Sequence, residues 1–145
     1  MFAYIDGDFL EKVVGVLQQP DGKARLKEAV SAGTMRPNLA KRGAIRGVFD
    51  GRYQFARYFS PKQHNLPRSL DALFKLNDVE LFDVETDPLQ RENLALDRAK
   101  HGDLIEAMNA KLNALIEREV GEDVGQMLPG GVDGGWVETG AVNDM

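Results

Sequence analysis

The hydrophobic residues follow a helical period in two parts of the chain, one near the start and one near residue 110. Residues 8–18 predict an amphipathic helix with one apolar stripe: Phe9, Val13, Val16 and Leu17. Residues 98–120 predict the longest helix, which Gly121 ends. Its apolar stripe consists of six residues: Leu104, Ile105, Met108, Leu112, Leu115 and Ile116. Charged residues occupy the opposite side, so we expect this helix to cover a core with one face.

The period changes to two in the middle of the chain. Residues 44–59 predict a β-hairpin around Asp50-Gly51-Arg52, and residues 79–84 predict a third strand. A three-residue loop in the hairpin would place six residues on one buried face, with Arg57 among them: Ile45, Gly47, Phe49, Tyr53, Phe55 and Phe59. A weaker helix at residues 23–32 and a short helical piece at 69–76 complete the pattern. The sequence therefore predicts an α+β fold, a small antiparallel sheet packed by a long C-terminal helix.

Charge is unevenly distributed along the chain, although its net value is only −5. Residues 36–68 carry eight bases and one acid, whereas residues 78–145 carry sixteen acids and five bases. The two blocks can pack together and compensate each other, or the basic block can steer an anionic substrate. Domains that bind nucleic acid are usually basic overall and carry a recognisable motif, so we do not expect nucleic-acid binding here.

Composition excludes several classes of site. The chain has no cysteine, so it forms no disulfide, thiol nucleophile or zinc–thiolate site. No apolar run approaches the roughly 20 residues of a membrane span, and we expect no membrane association. The first residues do not resemble a secretory signal. The compartment stays open.

The acid-rich stretch at residues 79–95 raises the possibility of a metal loop, since Asp83, Glu85 and Asp87 alternate. An EF-hand counted from Asp83 needs Gly at position six and Glu at position twelve. Those positions hold Pro88 and Leu94, so we expect no metal here. A carboxylate pair for acid–base work would need a nucleophile or a basic partner, and we expect neither nearby.

Structural roles account for the acid-rich stretch better. Asp87 is a good N-cap with Pro88 at the first helical position, and Gln90 follows three residues after the cap. Asn93 can adopt the left-handed conformation that ends a short helix, with Leu94 as the anchor. We therefore expect a strand, one turn of helix and a stop.

The same residues resemble the sulfatase family near its C-terminus. Glu80-Leu81-Phe82-Asp83-Val84, then Asp87-Pro88, then Asn93-Leu94-Ala95, is similar to the family signature E-L-Y-D-L-x-x-D-P-x-E-x-x-N-L-A. The hairpin at residues 46–59 resembles the R-T-x-x-Y-K-x-x-x-Y strand pair of that family, and a helix follows in the expected place. The resemblance covers roughly residues 40–120. Departures from the family pattern include Phe82 for Tyr, Gln90 for Glu and Gln54 for Lys.

The resemblance implies a fragment of a larger enzyme. Residues 1–42 would be a helical lead-in from a missing large catalytic domain, residues 43–120 the C-terminal subdomain, and residues 121–145 a Gly-rich tail anchored by Trp136. A fourth strand is expected from the family. Its natural source lies before Met1, with residues 2–5 as a remnant.

The family hydrolyses sulfate esters with a formylglycine in a C/S-x-P-x-R motif beside a calcium ion. This chain has neither that motif nor the calcium ligands of the large domain. The resemblance therefore implies calcium and formylglycine for the full-length enzyme, none in this chain, no catalytic residue here and no activity for the chain alone. The implied partners are the large domain and an anionic sulfate ester, in the cytoplasm or periplasm if the enzyme is of bacterial type.

Candidate substrate-contacting residues are confined to the loop at residues 60–68. In the resembling family, the C-terminal part contributes to the rim of the substrate cleft, and Lys62, His64 and Arg68 could meet an anion there. An ordinary solvated loop is the alternative. Two other functions stay open, a stand-alone protein-interaction module and an anion-binding domain that uses residues 36–68.

Overall fold

A computed structural model describes residues 3–4, 6–62 and 66–121 of the chain. The strands are β1 (Ala3–Tyr4), β2 (Ala44–Phe49), β3 (Tyr53–Phe59) and β4 (Asn77–Asp83). The helices are α1 (Gly7–Leu17), α2 (Gly22–Ser31), α3 (Leu70–Leu76) and α4 (Arg98–Glu119), with a 3-10 turn at Leu94–Leu96. The α+β fold class is confirmed. None of the described helices combines the length and the apolar character that crossing a membrane requires.

The four strands form one sheet in the order β1-β2-β3-β4, and all neighbours are antiparallel. β2, β3 and β4 lie within two residues of the strands that the sequence predicts. β1 falls within residues 2–5, the expected remnant of a fourth strand, and pairs with only two residues of β2, Ala44 and Ile45.

The predicted face of the hairpin is wrong on β2. Val48 lies opposite Phe55, so Val48 shares the inner face with Phe55. The residues predicted for that face lie on the other side of the sheet: Ile45, Gly47 and Phe49. Phe49 is consequently 58% exposed. A register shift of one residue moves every side chain of a strand to the opposite face.

The turn explains the shift. The last strand pair joins Phe49 to Gln54, whereas the predicted face requires Phe49 to lie opposite Tyr53. Asp50 stabilises the observed turn because its carboxylate accepts hydrogen bonds from the backbone N–H of Arg52, at 3.2 Å, and of Tyr53, at 2.8 Å. Gly51 supplies a positive φ of 105° that an L residue rarely adopts.

The hydrophobic core lies between the sheet and α4. Its buried members come from β3, α3, β4, the 3-10 turn and α4: Phe55, Leu73, Val79, Leu81, Ala95, Ile105, Met108, Leu112 and Ile116. The predicted stripe of α4 thus faces the core, with Leu104 and Leu115 half-buried at its margins. The other face of the sheet carries no described helix.

The two N-terminal helices pack chiefly against each other. Phe9, Val13 and Val16 are half-buried, but α1 has no buried residue, and Leu17 of the predicted stripe is 45% exposed. The sequence therefore predicts the helices correctly and says little about what they cover.

The segment after β4 differs from the predicted one-turn helix. The Asp87 carboxylate accepts from the backbone N–H of Glu92 at 2.8 Å, whereas the backbone N–H of Gln90 donates to the Asp87 backbone carbonyl at 3.0 Å. Gln90, with a φ of 52°, adopts the left-handed conformation that the sequence suggested for Asn93. Asn93 instead caps the following 3-10 turn by accepting from the backbone N–H of Ala95. The predicted Gly-rich tail with Trp136 lies outside the described residues beyond Gly121.

Candidate functional site

Two of the three predicted rim residues, Lys62 and Arg68, lie in the described part of the chain, and their role at a substrate cleft stays a prediction. Lys62 is half-buried, and Arg68 is exposed and bonded to Glu117 of α4 at 2.7 Å. His64 lies outside the described residues. A cleft of about 280 Å³ runs beside Arg68 along α4, and Lys62 is not among the residues that line it.

A buried arginine lies beneath this cleft. Arg57 of β3 is 1% exposed, and its guanidinium donates to the side-chain oxygens of Asn109, at 2.7 Å, and Asn113, at 2.8 Å. The amide nitrogens of both asparagines donate to the backbone carbonyl of Pro67, at 2.6 and 2.9 Å. This network joins β3, α4 and the loop that carries Arg68, so it fixes the floor of the cleft. It holds no group placed to react with a ligand.

Sequence reasoning placed Arg57 on the inner face but missed its partners. Asn109 and Asn113 lie one turn apart on the buried side of α4, each 5% exposed, among otherwise apolar residues. A polar residue on an apolar stripe is the signal that would have revealed them, because buried amides need hydrogen-bond partners.

The carboxylates of the acid-rich stretch are engaged by the hairpin loop. Asp83 accepts from Nε and Nη2 of Arg52, at 3.1 and 2.6 Å, and Glu85 lies 3.5 Å from the same guanidinium. The expectation that no basic partner is near is therefore wrong, since the hairpin brings Arg52 over β4. The hydrogen bond from Arg52 lowers the pKa of Asp83 to about 2 and raises the pKa of Arg52.

A second ion pair closes the same end of the sheet. Lys111 of α4 donates to Asp50, and this hydrogen bond, with the backbone bonds of the turn, lowers the pKa of Asp50 to about 2. Both aspartates are thus ionised partners of cations. A general acid at neutral pH needs a raised pKa, so neither fits that role.

Asn93 links the signature residues to the edge of the sheet. Its side-chain oxygen accepts from the backbone N–H of Leu81 at 3.0 Å, and its nitrogen donates to the carbonyl of Val79 at 3.1 Å. One amide thereby bonds the outer edge of β4 as a neighbouring strand would. The role is structural.

The basic block of the sequence is largely matched by acids. Arg42 bonds Asp78 at 2.6 Å, Arg52 bonds Asp83, and Arg68 bonds Glu117. All three acids belong to the acidic block at residues 78–145, as the compensating interpretation expects. The arrangement provides little uncompensated charge for an anionic ligand along these contacts.

The face of the sheet opposite α4 is the largest remaining feature. It carries Ile45 and Phe49 from β2, Ala56 and Tyr58 from β3, and Phe82 from β4. Ile45, Tyr58 and Phe82 are half-buried, and Phe49 is exposed. The Tyr58 hydroxyl donates to Glu80 at 3.0 Å on the same face. We call these five residues the open face. Ala56 is buried among them, and Gln54, Asp78 and Glu80 lie on the same side of the sheet, so Phe49 is its exposed apolar side chain.

Within the described residues, no group of three or more His, Cys, Asp and Glu side chains is arranged to hold a metal ion. Comparison with known proteins gives no further lead. No family model, no curated protein and no solved structure matches the chain.

Proposed function

We propose that this chain is the C-terminal part of a sulfatase-like hydrolase, that it completes a large catalytic domain, and that it has no sulfate-ester hydrolase activity alone. The proposal rests on the resemblance of residues 79–95 to the family signature. In the full-length enzyme, the nucleophile and the calcium site would belong to the other domain. The calcium and formylglycine implied by the family are part of the proposal for that enzyme only.

The observation that carries the proposal is the one-sided sheet. α4 covers its inner face, and the open face leaves apolar side chains in water, with Phe49 58% exposed. Contiguous exposed apolar surface in a soluble protein commonly marks an interface. A subdomain that packs its sheet against a catalytic domain would bury this surface.

The roles of the signature residues give further support. Asp83, Asp87 and Asn93 hold the turn after β4 through hydrogen bonds to Arg52, Glu92 and Leu81. A signature made of structural residues fits a subdomain that contributes shape rather than reacting groups.

The first experiment measures hydrolysis of 4-nitrophenyl sulfate by the purified chain, with an active sulfatase as the positive control. We expect no release of 4-nitrophenol above buffer. Turnover by the chain would overturn the claim that it is inactive alone. The coding sequence upstream of Met1 tests the claim that the chain belongs to a sulfatase-like hydrolase, because an in-frame C/S-x-P-x-R motif is expected there.

A second experiment tests the open face with a dye that fluoresces on apolar surface. We expect the isolated chain to enhance the fluorescence, Phe49→Lys to reduce it, and Leu96→Lys to leave it unchanged. Leu96 is the matched control because it is 83% exposed and lies outside the open face. A monomeric chain without dye binding would contradict an interface left uncovered.

A stand-alone protein-interaction module is the second candidate, and the same exposed Phe49 favours it. The two candidates differ in the source of the partner. An upstream region without a sulfatase motif, together with positive dye binding, would favour the module.

A further inference from the structure

Residues 7–37, which we call the helical arm, leave the sheet after β1 and return to it before β2. The arm contains α1, α2 and the connection that follows. Its one buried residue is Gly22, where an added Cβ would meet the carbonyl oxygens of Val16 and Leu17 in α1 itself. The arm therefore contributes no buried side chain to the core between the sheet and α4.

The two ends of the arm are held together by hydrogen bonds to one buried carboxylate rather than by apolar packing. Asp6 is 6% exposed and precedes α1 directly. Its Oδ2 accepts from the backbone N–H of Asn38 at 2.9 Å. Its Oδ1 accepts from Lys41 Nζ at 3.1 Å and from the backbone N–H of Phe9 at 3.3 Å. One side chain thus joins the two ends of the arm across 32 residues of sequence.

We propose that the helical arm opens and closes against the sheet as one unit, that Asp6 is the clasp that holds it closed, and that opening detaches β1 from β2. The inference does not depend on the sulfatase proposal. In the described residues, β1 pairs with β2 at two positions, Ala3 with Ile45 and Tyr4 with Ala44, and precedes the clasp in the chain. We expect these pairs to separate when the clasp opens, because the first residues of a domain are ordered only where they are tied down.

The energetics favour a unit that opens locally. Segments with few buried apolar contacts open at a lower free energy than the core of the same protein. α1 and α2 contact each other, so the two helices can move together. Opening the clasp then uncovers the outer edge of β2, a row of backbone groups that another extended segment can pair with.

The test is amide hydrogen exchange of the whole chain, followed by mass spectrometry, at increasing low concentrations of urea. We expect the amides of the arm and of β1 to exchange together through an opening with a weak urea dependence. The amides of β3, β4 and α4 should exchange only through global unfolding. Exchange of the arm at the same rate and with the same urea dependence as the core would overturn the proposal. This comparison is made on the wild-type chain alone.

Asp6→Ser isolates the clasp from the helix cap. A serine at this position still caps α1, but it has no second oxygen for Asn38. We expect exchange in α2 and β1 to accelerate about 10-fold or more, the effect of losing a hydrogen bond to a charged group. Core amides should keep their rates.

Asp8→Ala is the matched control. Asp8 also bonds Lys41, at 2.5 Å and across the same gap in the sequence, but its side chain is 75% exposed, whereas that of Asp6 is 4% exposed. We expect a change of less than about 3-fold, as for an exposed ion pair. Equal acceleration by Asp8→Ala and Asp6→Ser, or acceleration of arm and core alike, would show that Asp6 is not a clasp.

Discussion

Arg57 is the largest fully buried side chain of the described residues, and its charge is held by the amides of Asn109 and Asn113. We predict that Arg57→Met lowers the free energy of unfolding by about 2–4 kcal/mol, because it leaves two buried amide oxygens without their donor. Urea unfolding followed by circular dichroism measures the change. Arg68→Met makes the same chemical change at an exposed ion pair and should cost less than about 1 kcal/mol. Similar losses for both variants would contradict the assigned role.

Asn93 gives a second prediction at the residue scale. Asn93→Asp keeps the acceptors for Leu81 but removes the donor to the Val79 carbonyl, so we expect a loss of about 1–3 kcal/mol in unfolding free energy. Gln90→Glu is the matched control, since Gln90 is exposed and its side chain bonds only another exposed side chain. The same urea midpoint for Asn93→Asp and the wild-type chain would show that the edge bond contributes nothing.

Single residues were predictable from the sequence only where a local rule applied. Ser69 and Asp97 follow such a rule, because each capping side chain bonds a backbone N–H three residues ahead, although the cap predicted from the sequence was Asp87. The pairing of Arg52 with Asp83 was missed because 31 residues separate them and only the sheet register brings them together.

At the scale of elements, strand and helix positions follow from periodicity, but strand register does not. β2 and β3 lie at the predicted positions, yet a shift of one residue in their pairing reverses the faces of β2. Asp50 and Gly51 fix this register, because their hydrogen bonds and positive φ stabilise the observed turn. The hydrophobic pattern could not reveal the register of β2, since Val48 and Phe49 suit a buried face equally well.

The ion pairs at the hairpin end predict that the free energy of unfolding depends on pH in the acidic range. The pKa of Asp83 falls from 3.8 to about 2 in the folded chain. Its stabilisation is therefore complete above the unfolded pKa and is lost as the pH falls from about 4 through about 2. We expect the urea midpoint to fall over this range, and to fall less steeply in Asp83→Asn.

The control for that prediction is Asp103→Asn, which removes a carboxylate on the exposed side of α4 that has no hydrogen bond among the described residues. Its midpoint should depend on pH as that of the wild-type chain does. An unchanged slope for Asp83→Asn would show that the pair with Arg52 does not stabilise the fold.

At the scale of the whole molecule, the fold class and the core were predictable, whereas the role of the rim residues stays a prediction. One amphipathic helix and three strands admit few arrangements, and packing α4 over the sheet is the simplest of them. The rim residues were selected for charge in a loop, and charge alone does not bring side chains together. Arg68, for example, pairs with Glu117.

The pairing of the basic and acidic blocks leads to a prediction for the whole molecule. Arg42 and Arg68 are occupied by Asp78 and Glu117, so we expect the chain to elute from immobilised heparin at or below about 0.15 M salt at pH 7. Asp78→Asn with Glu117→Gln releases both guanidinium groups and should delay elution. Retention of the wild-type chain well above this salt concentration would favour the anion-binding alternative.

A variant with the same net charge separates pairing from total charge. Asp103→Asn with Glu106→Gln also removes two acids, and neither has an ion pair among the described residues. We expect it to elute close to the wild-type chain, because the guanidinium groups of Arg42 and Arg68 stay bonded. If both double variants bind equally well, net charge governs the retention. The ion pairs between the two blocks would then have no role in preventing anion binding by the basic stretch.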